Sequence, residues 1–368
     1  METKQWKEVL HIVSGKNQKA VENPAGKYPI YGSGGIIGYA DEYLCEAGTT
    51  IVGRKGTINK PIFVTTPFWN IDTAFGVVPG EKLDQKYLYY FCEHFNFTPL
   101  DKSTGRPSLA KSDLLKIEMP VPSRDEQRRV VSRIEELFSQ LDVGIKTLEK
   151  CKAQLNIYRQ AVLISVFSDM QDKRPIREVS EFVTSGSRGW AKYYADEGAR
   201  FVRITDLTRD GIYLKNDNKQ FVLLPDTAEG KRSRLNENDV LVSITADLGS
   251  IALIPADIGE AYINQHIAMI RFNNPKQGEL MAWYLKSDYG QKDLLKNKRG
   301  GGKLGLGLDD IRDTPVPILS DNGAEAVLKE IDARLSVCYS IEKTVDDSIR
   351  GAEAMRQSIL KQAFEGRL

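Results

Sequence analysis

Four short stretches of this chain combine cations with glycines and small hydroxyls, the side-chain set that meets a phosphate backbone. Thr104, Arg106, Ser108 and Lys111 lie on one polar loop, and Arg54, Lys55 and Lys60 flank a glycine turn at Gly56. Arg and Lys reach phosphate oxygens and guanine edges, while Ser and Thr donate to phosphate. Ser187, Arg188, Trp190 and Lys192 add an aromatic ring to the same chemistry. Lys298, Arg299 and Lys303 surround Gly300, Gly301 and Gly302, where a flexible backbone can approach a phosphate chain closely. One such loop is ordinary solvated surface. Four of them, two in each half of the chain at comparable positions, point to duplex DNA.

Residues that could break or make bonds are scarce. The three histidines, His11, His94 and His266, are scattered and show no zinc-ligand spacing. Asn23-Pro24 and Asn274-Pro275 lack the second proline and aromatic of an amino-methyltransferase motif and read as turns. Gly32, Gly34, Gly35 and Gly38 do not fit G-x-G-x-x-G, and Ile36-Ile37-Gly38-Tyr39 continues as a strand, so a hairpin is expected there. No metal or cofactor is expected on this chain, and neither is catalysis. A net charge of +1 gives no global field, so nucleic-acid binding must rest on local patches. Cys45, Cys92, Cys151 and Cys338 form no CxxC pair and read as reduced thiols. No apolar run approaches a membrane span and residues 1–14 are polar, which predicts a cytoplasmic protein.

Something must hold these loops in place, and the pattern names it. From 124 to 168 apolar residues recur at alternating steps of four and three: Ile134, Leu137, Leu141, Leu148, Leu155 and Val162, with Tyr158 in the same register. That is a coiled-coil seam, and no proline interrupts it. At a constant offset of 197 residues, as from Ile134 to Ile331, the seam recurs through Ile331, Cys338, Ile341, Val345, Met355 and Ile359. Lys146-Thr147 returns as Lys343-Thr344 and Arg159-Gln160 as Arg356-Gln357, without a gap. Each copy follows a Pro-Val-Pro step, at Pro120 and at Pro315.

The expected layout is a globular unit at 1–122, a long helix at 123–169, a second unit at 170–319 and a second long helix at 320–368. Strands are expected near 27–31, 49–53, 61–65 and 74–78, with a helix over 84–95 and counterparts of two of the strands near 239–244 and 268–272. The fold class is α+β with mostly antiparallel strands. The second helix must run back along the first, giving an antiparallel two-helix coiled coil that separates two similar units about a pseudo-twofold axis. Two unlike binding modules on a rigid separator suit a ligand read at two separated places. A coiled-coil scaffold whose end domains bind protein, without DNA specificity, is the alternative.

Over essentially its full length the chain resembles the specificity subunits of type I restriction-modification systems. The resemblance is carried by Thr104-Gly105-Arg106-Pro107-Ser108-Leu109, by Asp113-Leu114-Leu115, and by Ile117-Glu118-Met119-Pro120-Val121-Pro122. Arg124-Asp125-Glu126-Gln127 and Arg159-Gln160-Ala161-Val162-Leu163 complete it. The second copy departs, with Gly300-Gly301-Gly302 standing where Thr-Gly-Arg stood and no Glu-Gln pair after Pro317. The resemblance implies two target recognition domains, each reading half of a split, asymmetric DNA site, with the helices acting as a ruler. It also implies two modification subunits that carry S-adenosylmethionine and methylate adenine, and restriction or motor subunits that use ATP and magnesium.

Overall fold

A computed structural model describes residues 2–209, 211–224, 232–245, 247–296, 298 and 304–368. The chain forms two compact units, Met1–Glu149 together with Asp346–Leu368, and Lys150–Val345. Each unit takes part of both long helices.

In the first unit an antiparallel sheet carries the core, its strands lying in the order Leu10–Ser14, Ala74–Pro79, Thr49–Gly53 and Ile62–Val64. Its second strand in sequence, Thr49–Gly53, is β-branched from Thr49 to Val52 and buried at every residue, as a strand covered on both faces must be. The helix Gln85–His94 starts where the Asp84 carboxylate accepts the Lys86 and Tyr87 N–H groups, an N-cap. It buries Tyr87, Leu88, Phe91 and Cys92 in the same core as the strand residues Ile12, Val52, Phe75 and Val77. A second sheet joins Gly35–Ala40, Tyr28–Gly32 and Trp69–Asn70 in that order, the last pair parallel. The expected hairpin is therefore there, turning at Gly32 and Gly35.

The second unit repeats the plan. Its main sheet sets Ser180–Ser185, Ile267–Phe272, Val240–Ser243 and Ile251–Leu253 side by side, in the same order as the first. Its second sheet also contains one parallel pair, between Ala199–Val202 and Ala261–Ile263. Two-stranded ribbons close both units, Thr3–Gln5 with Glu118–Pro120 and Lys173–Pro175 with Pro315–Pro317, so each Pro-Val-Pro region marks the end of a unit.

The two long helices are Arg124–Phe167 and Asp321–Phe364, each of 44 residues and therefore about 66 Å at 1.5 Å per residue. In the first unit Val130, Val131, Ile134 and Phe138 share a core with Ile359, Leu360, Ala363 and Phe364. In the second unit Leu155, Val162, Leu163 and Phe167 share one with Ala324, Ile331, Leu335 and Cys338. In each unit the start of one helix lies beside the end of the other, so the pairing within each is antiparallel.

The seam itself needs a correction. Ile134, Leu155, Val162, Ile331, Cys338, Val345 and Ile359 are buried, and Leu137, Leu141 and Leu148 are half-buried. Tyr158, Ile341 and Met355, however, are exposed. In their place the inward positions are Phe138, Arg159, Leu335, Glu342 and Arg356, one residue later. Every second inward position slips by one, in both helices alike. Arg159, 4 % exposed, fills one of these positions and pairs there with Glu342. The Arg159 fork bonds both Glu342 oxygens, at 2.5 and 3.4 Å, and its guanidinium lies 5.0 Å over the Tyr339 ring. In the first unit Arg356 pairs with Asp142 and lies 4.6 Å over the Phe138 ring.

All four cysteines are free thiols. Burial pushes the Cys45 thiol up to about 12, which makes it a small apolar residue and a poor nucleophile. Among the described residues no helix is long and apolar enough to cross a membrane, and none cluster as metal ligands.

Candidate nucleic-acid interface

In the first unit the two basic loops are one structure. Leu109 N–H donates to Arg54 O at 2.8 Å, Gly56 N–H donates to Pro107 O at 2.8 Å, and Lys55 forms a bridge with Ser108. Gly56 has φ +85°, and a Cβ there would come 2.9 Å from the Arg106 guanidinium, so glycine admits the arginine. The Asp101 carboxylate closes the later loop by accepting Ser103 N–H, Ser103 O–H and Ser108 N–H. The Ser108 and Ser103 bonds hold its carboxyl below the usual aspartate range.

The segment after Asn70 supports this pair from beneath. Thr73 O accepts both Arg54 and Lys55 N–H, Asp72 O accepts Arg54 Nη1 at 3.4 Å, and the Asp72 carboxylate lies 3.7 Å from Lys55 Nζ. Arg54 also lies 5.6 Å over the Phe75 ring. Thr104, Arg106 and Lys60 are exposed, while Ser108 is half-buried with its N–H committed to Asp101. Lys111 serves a different purpose, since its ammonium donates to Ile12 O at 2.7 Å and ties the loop to the first strand of the sheet.

The same lacing recurs in the second unit. Leu306 N–H donates to Ile244 O at 3.0 Å, and Thr245 bridges Gly305, as Leu109 does with Arg54 and Lys55 with Ser108. The late loops are thus equivalent in position. Their partners are not equivalent in chemistry, because Ile244 and Thr245 stand where Arg54 and Lys55 did. Lys298 is exposed on this loop; Arg299 and Lys303 lie outside the described residues.

The early loops are not equivalent. Ser187, Arg188, Trp190 and Lys192 follow the strand Ser180–Ser185, which corresponds to Leu10–Ser14 and not to the strand before Arg54. Gly15 packs on Ile71 O and Gly186 on Ile263 O, both too close to admit a Cβ, which fixes the correspondence. Arg188 and Lys192 are exposed, and Lys192 Nζ lies 4.8 Å over the Tyr193 ring. Ser187 Oγ accepts from Arg232 at 3.2 Å. Trp190 is corrected outright. A one-turn 3₁₀ helix rolls it inward, where its ring packs 4.9 Å from Phe201 and 5.6 Å from Tyr262. It is core and not an aromatic platform for a base.

Gln127 is the functional-looking residue whose purpose only the structure gives. Fully buried, it donates to Lys82 O and Pro122 O and accepts Asp84 N–H, so it pins the Pro-Val-Pro step to the start of the Gln85–His94 helix. In the second copy Ala324 takes that seat and Gln277, from the other side, donates to Leu319 O at 2.9 Å. The missing Glu-Gln pair is therefore a change of fastener, not of architecture.

Residues 1–152 match the family model for the type I restriction modification DNA specificity domain. The Escherichia coli EcoBI specificity subunit of a type I restriction enzyme is 22% identical over 360 residues, 86% of this chain and 73% of that protein. The StySPI specificity subunit of Salmonella potsdam is 21% identical over the same shares. A chain from a solved type I restriction-modification system, described for its complex assembly and conformational transition, superposes with a TM-score of 0.69 at 14% identity, covering 100% of this chain and 98% of that one. Residues 1–152 thus carry a type I restriction modification DNA specificity domain, and over most of its length the chain is similar to specificity subunits of type I restriction enzymes.

Proposed function

We propose that this chain is the non-catalytic address-reading part of its system. Each unit reads one half of a split, asymmetric site in double-stranded DNA, and two modification subunits bind the chain and methylate adenine in that site. S-adenosylmethionine belongs to those subunits, and ATP and magnesium belong to restriction or motor subunits; no cofactor is assigned to this chain. The observation that carries the reading is the repeated lacing of a late loop to a sheet end, Leu109 to Arg54 and Leu306 to Ile244. It fixes the end of a late loop at the same place on two units whose side chains differ, which is what reading two unlike half-sites requires. Arg106 and Lys60 in the first unit and Lys298 in the second are exposed cations near this lacing, and Arg188 and Lys192 are exposed cations on the early loop of the second unit.

Methylome sequencing of cells carrying this chain with its modification partner is the test. The expected outcome is adenine methylation confined to one two-part motif with an unread gap. Methylation in a single contiguous motif, or none that depends on this chain, would remove the reading.

A further inference from the structure

Beside the laced loops of the first unit stands an apolar feature that phosphate binding does not use. Along the hairpin Ile30 pairs with Gly38 but Tyr31 pairs with Ile36, so Ile37 is an extra residue and the strand bulges. Bulges re-aim side chains and occur next to functional sites. Here the result is two adjacent isoleucines in solvent, Ile36 54 % and Ile37 53 % exposed, on an edge strand. The hairpin tip is joined to the cation cluster from below. Ile71 N–H donates to Tyr31 O at 3.0 Å, and Thr73 O, two residues on, accepts Arg54 and Lys55 N–H. Ser33 packs against Gly53, and a Cβ on Gly53 would come 3.2 Å from the Ser33 Cβ. The hairpin that carries Ile36 and Ile37 is thus anchored to the segments that carry Arg54 and Lys55.

Resting on the reading of this unit as a DNA reader, we propose that the Ile36–Ile37 bulge is its base-contacting element and recognises a thymine methyl group. The cations Arg54, Lys55 and Arg106 on the neighbouring loops are complementary to phosphate and would bring the duplex toward this hairpin. Isoleucine gains nothing from phosphate. On the edge of a base pair in the major groove the thymine 5-methyl is the apolar group it can cover. The glycines at 32, 34 and 35 leave the tip slender enough to enter a groove, and Gly35 has φ +127° at the turn. The cations grip and the isoleucines discriminate.

The test uses the assembled complex of this chain with its modification subunits and a duplex bearing the motif found by methylome sequencing. Each thymine is replaced in turn by uracil, which removes only the methyl, and binding is compared for wild type and for Ile36→Ala, Ile37→Ala and the double variant. For wild type, one or two uracil positions within one half-site should cost about fourfold in affinity, the value of one buried methyl. The double variant should lose that sensitivity while still discriminating the other half-site. If wild type is indifferent to every uracil, or the variants keep its uracil profile, the proposal fails while the two-part reading stands. If the variants instead fail to capture the modification subunits, the bulge is a protein contact and the proposal fails in that way. Absence of any sequence-specific binding by wild type would overturn the reading beneath it. Since the uracil series is read on the unaltered protein, the outcome does not hang on the variants folding.

Discussion

Tyr87 meets Phe364 edge-on with 5.1 Å between ring centroids, and its counterpart Tyr284 meets Phe167 at 5.3 Å. Phe167 and Phe364 are themselves counterparts at the offset of 197 residues seen between Ile134 and Ile331. The tyrosine of the first unit touches the end of the second long helix, and the tyrosine of the second unit touches the end of the first. Each unit thus receives the same aromatic contact, made by the end of the long helix that its own sheets do not lead into.

Phe364→Ala should therefore damage the unit that is distant from it in sequence. Phe364 also packs 5.3 Å from Phe91 and stacks on His94, so its loss opens a cavity in the first core. A destabilisation of about 3 kcal/mol is expected. Hydrogen exchange should quicken in the Gln85–His94 helix and leave the Val240–Ser243 strand unchanged.

The two seam arginines should differ in worth. Arg159→Ala leaves the Glu342 carboxylate, 18 % exposed, without its partner, a loss of about 3 kcal/mol or more. Arg356→Ala breaks a pair whose side chains are 30 % and 51 % exposed, and about 1 kcal/mol or less is expected. Urea titration of both variants checks the order.

Cations that touch phosphate and cations that hold the fold should separate in a salt titration of DNA affinity. Arg106→Ala and Lys298→Ala should each lower the slope by about one phosphate's worth. Lys111→Ala should leave the slope alone and lower stability instead, because its ammonium is bound to Ile12 O.

Acidification should loosen the first unit through His94. Burial pushes its imidazole below the usual range, against the pull of Glu365 and with the push of Lys361. The unfolded chain takes up its proton near pH 6.5 and the folded chain only lower, so stability is intact above that pH and falls as pH drops through 6.5 toward the folded value. Comparing Tm against pH for wild type and His94→Gln checks this; the variant should show the shallower fall.

How far the sequence could be read differs by feature. The two helices and their repetition were legible because a 3.6-residue period and an ungapped offset survive without any knowledge of contacts. The seam slipped by one residue because pattern reading prefers an apolar Tyr158, Ile341 or Met355 to a charged Arg159, and buried ion pairs obey pairing and not hydropathy. That the loops at 54–60 and 101–108 are one structure was not legible, since backbone hydrogen bonds between distant residues leave no mark on side-chain type. Trp190 misled for the opposite reason: its neighbours in sequence are cations, but its neighbours in space are Phe201 and Tyr262.

Ile359, Leu360, Ala363 and Phe364 complete a core whose other members lie before residue 140. A ribosome making this chain releases the first unit's sheets long before it supplies those four side chains. The first unit must wait, unfinished, until the whole of the second unit's sheets has been made, and a stop before those four side chains would leave its core open.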